Sequence, residues 1–95
     1  MGKKEAYEKK LEAQLKEWKT DIDKMKAKAD KVDADSQLEY YKRIEELRTK
    51  QESAQEKLKE LKEAGEDAWE DLKAGVELAW KSLGEAVKSA NSRFK

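Results

Sequence analysis

Apolar residues recur along the first third of the chain at Leu11, Leu15, Trp18, Ile22, Met25, Ala29 and Val32. The steps alternate between four and three, the heptad rhythm that keeps one seam of an α-helix turned toward a partner. The second third repeats the rhythm at Tyr40, Ile44, Leu47, Gln51, Ala54, Leu58 and Leu61. The last third changes period. AWEDLKAGVEL (68–78) and AWKSLGEAVKS (79–89) are tandem eleven-residue blocks. Trp69, Leu72, Val76, Trp80, Leu83, Val87 and Phe94 then share an arc of ~80° at 100° per residue, with Leu78 on the far side. Eleven residues make three turns at about 3.67 per turn, so this stripe runs nearly straight along its helix.

Nothing in the chain argues for strands. Proline is absent, glycine occurs only at 2, 65, 75 and 84, and no window alternates with period two. The pattern predicts helical segments over about 3–33, 36–64 and 66–93. At the first boundary, DADSQLE carries Ser36 and Glu39 at capping-box spacing. At the second, Ala64-Gly65-Glu66-Asp67 offers Gly65 for the left-handed position past a helix end, and acid for the next first turn. A helix running unbroken through either point stays open at this level, because a heptad seam can pass into elevens without a turn.

Three segments of nearly equal length favour up-down-up packing. The expected fold is all-α: one domain over 1–95, built as an antiparallel coiled-coil-like bundle or a long helical hairpin. Segment midpoints would bring Trp18, Gln51 and Trp80 into one layer, where an indole N–H could meet the only polar seam residue, Gln51. An exposed Gln in a loose region is the other reading. A chain of 95 residues builds a small core, so self-association is expected to help it. A column of small residues, Ala6, Ala13, Thr20, Ala27 and Ala34, lies opposite the first leucine seam. It suits either a second helix or plain exposure.

Composition narrows the chemistry. Charged residues make up 46% of the chain, yet 22 Lys and Arg balance 22 Asp and Glu. By segment the net charge is +1 over 1–35, 0 over 36–65 and −1 over 66–95. Such a balance has no electrostatic claim on nucleic acid or an anionic membrane. With no Cys and no His, disulfides, thiolate metal sites, Glu-x-x-His di-metal motifs and the commonest general base are all excluded. No Gly-rich phosphate loop is present. Carboxylates fall in helix-supporting pairs such as Glu12/Lys16, Glu39/Arg43 and Glu77/Lys81, as a solvated face requires. No catalytic, cofactor, metal or small-molecule site is expected. With no apolar run of signal-peptide or membrane-span length, the expected setting is soluble and cytoplasmic.

The ending WEDLKAGVELAWKSLGEAVKSANSRF, with the charged heptad body before it, resembles small bacterial coiled-coil proteins of uncharacterised function. The resemblance implies helical structure and a bacterial intracellular setting, and it transfers no catalytic residue. Residues 68–94 separately resemble apolipoprotein-type eleven-residue repeats. Three functions are therefore expected in order: a non-catalytic structural, assembly or protein-interaction module, reversible lipid-surface binding through 66–94, and a stress-protective helix that orders on binding or drying. The partner is a second copy or another helical protein in the first case and a lipid surface in the second. The working face would be the seam and stripe residues already named.

Overall fold

A computed structural model describes residues 2–93. It contains three helices, α1 (Lys3–Ala29), α2 (Ala34–Glu63) and α3 (Trp69–Arg93), and no strand among the described residues. Both periods, the heptad and the eleven, become α-helix because Ala, Leu, Lys, Glu and Gln fill the positions between apolar sites. The molecule measures 51 × 19 × 18 Å. Thirty residues of α2 account for about 45 Å at ~1.5 Å per residue. The long axis is thus one helix plus its turns, and the cross-section holds three helices side by side.

Contacts along that axis give the topology. Glu12 pairs with Lys62, and Asp23 with Arg48 at 2.8 Å, so α1 and α2 run antiparallel. Lys50 Nζ donates to Ser82 Oγ at 2.8 Å, setting α2 antiparallel to α3. The Tyr7 ring lies 5.8 Å from that of Trp69, which leaves α1 and α3 parallel. The bundle is up-down-up.

Three boundary expectations need correction. Helix α1 stops at Ala29 rather than near 33, because Lys31 and Val32 donate to the carbonyls three residues back and close the last turn tightly. Val32, expected as the last seam residue, therefore lies half-buried in the turn. Ser36 is not a cap. Asp33 takes that position in extended conformation, its carbonyl accepting from the N–H groups of Ser36 and Gln37, with no side-chain capping bond. Beginning two residues early places Asp35 in the first turn, where the helix dipole favours acid. At the second boundary Gly65 does not adopt positive φ. The chain leaves α2 through an extended Ala64 (φ −73°, ψ 144°). A turn follows in which the Gly65 carbonyl accepts from Ala68 and Trp69, so α3 starts at Trp69 rather than 66.

One core runs the length of the bundle. Helix α1 contributes Leu11, Leu15, Ile22, Met25 and Ala29, and α2 contributes Ile44, Leu47, Gln51, Ala54, Leu58 and Leu61. Helix α3 buries Trp69, Val76, Trp80, Leu83, Val87 and Ala90. Trp18, Tyr40 and Leu72 pack against this core from half-buried positions. Phe94 lies outside the described residues. Heptad seams of α1 and α2 pair with each other, and the straight stripe of α3 closes the remaining side.

Trp18 packs against α3. Its ring lies over Gly84, where an added Cβ would come within 2.9 Å of the ring atom Cζ2. Gly75, by contrast, has nothing within 4 Å of such a Cβ. Replacing a mid-helix glycine by alanine ordinarily gains about 1 kcal/mol, whereas overpacking a fitted contact costs about 1–3 kcal/mol. Gly75→Ala is therefore expected to raise stability by about 1 kcal/mol, and Gly84→Ala to lower it by up to about 2 kcal/mol. Urea unfolding of both variants tests this. Equal gains at the two positions would show that Trp18 does not sit on Gly84.

Candidate interaction surfaces

The described residues hold no group of three or more Asp or Glu side chains placed to bind a metal ion. Among the described residues the surface carries two polar clusters at the bundle ends, an open groove between α1 and α2, and two exposed leucines.

At the α1–α2 turn, Asp30 is the centre. The Tyr41 hydroxyl donates to Asp30 Oδ1 at 2.5 Å, and Lys26 Nζ reaches the same oxygen at 3.0 Å. Lys26 also lies 5.2 Å from the centre of the Tyr41 ring, and Gln37 Nε2 donates to the Asp30 carbonyl at 3.4 Å. An acid at a helix C-terminus opposes the helix dipole. Here Tyr41 and Lys26 offset that, and the bonds tie the first turn of α2 to the last turn of α1. The hydrogen bond from Tyr41, then the one from Lys26, holds the Asp30 carboxyl below its usual range. Donation to Asp30 pushes Tyr41 and Lys26 up.

At the opposite end, Tyr7 is wedged between α1 and α3. It tilts 41° against Trp69, lies 5.3 Å beneath Lys73 Nζ, and donates to Glu77 Oε1 at 3.3 Å. Burial, then the Glu77 carboxylate, raises its pKa. Beside it Lys4 donates to the Lys62 carbonyl at 3.1 Å while pairing with Glu8 at 3.1 Å. A cation on a terminal carbonyl of α2 is well placed for that helix dipole. Of the intrahelical pairs anticipated, Glu39–Arg43 forms, at 3.9 Å. Glu12 and Glu77 instead reach across to Lys62 and Tyr7.

Between α1 and α2 runs an open groove of about 710 Å³. Leu15, Gln51 and Leu58 form its floor, with Lys16 and Lys19 on the α1 rim and Glu52, Glu56 and Lys59 on the α2 rim. Gln51 is only 8% exposed, and its Oε1 accepts no hydrogen bond. Trp80 Nε1 is likewise buried without a partner. The layer predicted around residue 51 thus brings a buried acceptor and a buried donor to neighbouring levels without joining them, and the expected Gln51–indole bond is not made.

Apart from Val32, which lies in the α1–α2 turn, and Phe94, which lies outside the described residues, the seam and stripe residues named from sequence are brought together as the inner core or packed against it. Ala6, Ala13, Thr20 and Ala27 stay exposed on α1. Among the described residues two large apolar side chains face out, Leu38 at 78% and Leu78 at 69% exposed. Leu78 was detectable as the one large residue opposite the α3 stripe.

Comparison with protein-family models, with curated proteins and with solved structures finds no match. The chain's own geometry has to carry the reading.

Two outcomes follow from the polar groups. Asp30 contributes stability that is present above the ordinary Asp value of ~3.9 and is lost as pH falls through its lowered value. Tyr41 and Lys26 contribute stability present below about 10 and lost as pH rises through their raised values. In a Tyr7→Phe background, ultraviolet titration should show a phenol above the ordinary range that Asp30→Asn returns to it. An unchanged titration on Asp30→Asn would remove Asp30 from the account. At the core, Gln51→Leu takes away an unpaired buried acceptor and should raise stability by about 1–2 kcal/mol. A loss in urea unfolding would mean that the amide has a partner.

Proposed function

We propose that this chain is a non-catalytic assembly or protein-interaction module whose partner is a second copy or another helical protein. The carrying observation is the division of its apolar surface. The three amphipathic faces cover one another, and among the described residues the outer surface keeps the α1–α2 groove and two isolated leucines as apolar features. Isolated apolar side chains on charged helix faces are suited to packing against other helices.

Lipid-surface binding through the α3 stripe has less support. Trp69 and Trp80, its largest anchors, are 6% and 5% exposed, so α3 would have to leave the bundle before touching lipid. Among the described residues no helix is long and apolar enough to cross a membrane. The stress-protective reading requires a chain that is unfolded in buffer, whereas the three seams fit one another here.

Circular dichroism and light-scattering mass, recorded with and without liposomes, separate these readings. A helical, cooperatively melting protein with a defined mass above the monomer and no response to liposomes is expected. Helicity that rises only with liposomes, or only on drying, would replace the assembly reading by the lipid or the protective one.

A further inference from the structure

We propose that two copies of this chain join by exchanging α3. The turn at 64–68 straightens, residues 34–93 become one helix, and each copy's α3 closes the α1–α2 pair of the other. This rests on the assembly reading and names its interface.

The buried faces of α2 and α3 share one phase. Continued as a single helix at 100° per residue, the buried residues of α2, Ile44 to Leu61, and those of α3, Trp69 to Ala90, fall in a common arc of ~100°. A hairpin does not require this, since a turn can join two faces at any phase. The seam also runs through the turn itself. Leu58, Leu61, Gly65, Ala68 and Leu72 keep heptad steps of three and four, while Glu63, Glu66, Asp67 and Glu70 fall outside the arc.

Little holds this turn closed. Glu66 and Asp67 are exposed and make no hydrogen bond or ion pair among the described residues. No residue in it has positive φ, and Ala64, at φ −73°, needs only a rotation in ψ from 144° to the helical range. Trp69 already donates to the Gly65 carbonyl four residues back, as in a continuing helix. Straightening lets Gly65, Glu66 and Asp67, which have no backbone acceptor in the turn, donate in the same way. The α1–α2 turn differs. It puts Asp33 and Ser36 on the seam, and Asp30 ties it through Tyr41 and Lys26. Exchange therefore opens the second turn and keeps the first.

The contacts α3 makes with α1 and α2 are re-formed between copies, and a two-fold axis closes the assembly as a dimer. Lys50 and Ser82, paired at 2.8 Å, stand equally far before and after residue 66, so the axis crosses at the middle of the straightened turn. There Gly65 and Ala68 allow close approach of two helices of about 90 Å each. The two copies' Glu66 side chains flank the crossing, a like-charge contact that salt screens.

Denaturing gels test the exchange. The chain has no cysteine, so Lys50→Cys with Ser82→Cys gives one exposed pair that a short bis-maleimide can span. Dimer isolated by size exclusion should cross-link between chains and run as a covalent dimer after denaturation, whereas monomer should link within one chain. Two turn variants shift the balance in opposite directions, read by sedimentation velocity with circular dichroism confirming helicity. Gly65→Ala, whose added Cβ meets nothing within 4 Å, favours helix through the turn. It should raise the dimerisation constant by about tenfold or more, because each dimer contains two such turns. Glu66→Pro suits the residue that opens the turn into α3 but breaks a continuous helix, and should leave the chain monomeric where the wild type pairs. A wild-type dimer whose cross-links all lie within single chains, or one that Glu66→Pro does not weaken, would overturn the exchange while leaving the assembly reading standing. A wild-type chain that stays monomeric throughout would overturn both.

Discussion

Closure of the α1–α2 pair by α3 is the constraint on which the rest of this molecule depends. Two heptad helices packed together cover only one side of each seam, and the other side of Ile22, Met25, Ile44 and Leu61 needs a third surface. Helix α3 provides it with a straight, narrow stripe carrying two tryptophans. The change of period from seven to eleven is what makes this possible, since a stripe that does not wind can follow the valley between two helices for its full length. Trp69 and Trp80 fill that valley, and Trp18 is turned aside onto Gly84.

The ends of the bundle settle how the helices follow one another. At one end Asp30 is bonded by Lys26 from its own helix and by Tyr41 from the next, so the turn between α1 and α2 is held from both sides. At the other, Tyr7 touches Trp69, Lys73 and Glu77, joining the starts of two parallel helices. These contacts are exposed or half-exposed and individually weak. They choose among arrangements that the apolar seams alone would permit. The uncovered α1–α2 groove is the counterpart of this economy, and beneath it Gln51 Oε1 has no partner.

Much of this was legible in the residues, and the failures have physical causes. The seams of α1 and α2 and the stripe of α3 were readable because burial of many residues at one period outweighs any local preference. Val32, Ser36 and Gly65 were misplaced because a boundary turns on roughly 1 kcal/mol between competing caps, a margin that side-chain identity alone does not decide. Asp33 outcompeted Ser36, and an extended Ala64 removed the need for a left-handed Gly65. The layer of Trp18, Gln51 and Trp80 was half right. Equal helix lengths bring the levels close, but the direction of each side chain depends on the helix faces, and Trp18 points at α3 one turn beyond Trp80. A glycine on the flank of an otherwise strong helix was the available sign of that seat. Phe94 lies outside the described residues, and the outward surfaces left little trace beyond the stray Leu78.

Helix α3 belongs to the fold as fully as α1 and α2 do. Residue-resolved amide hydrogen exchange in plain buffer tests it most directly. Amides in the middle of α3, around Val76 to Val87, should be protected as strongly as those around Leu47 to Leu58 in α2, and should open with them in one cooperative step. Rapid exchange across α3 beside a protected α1–α2 pair would contradict it.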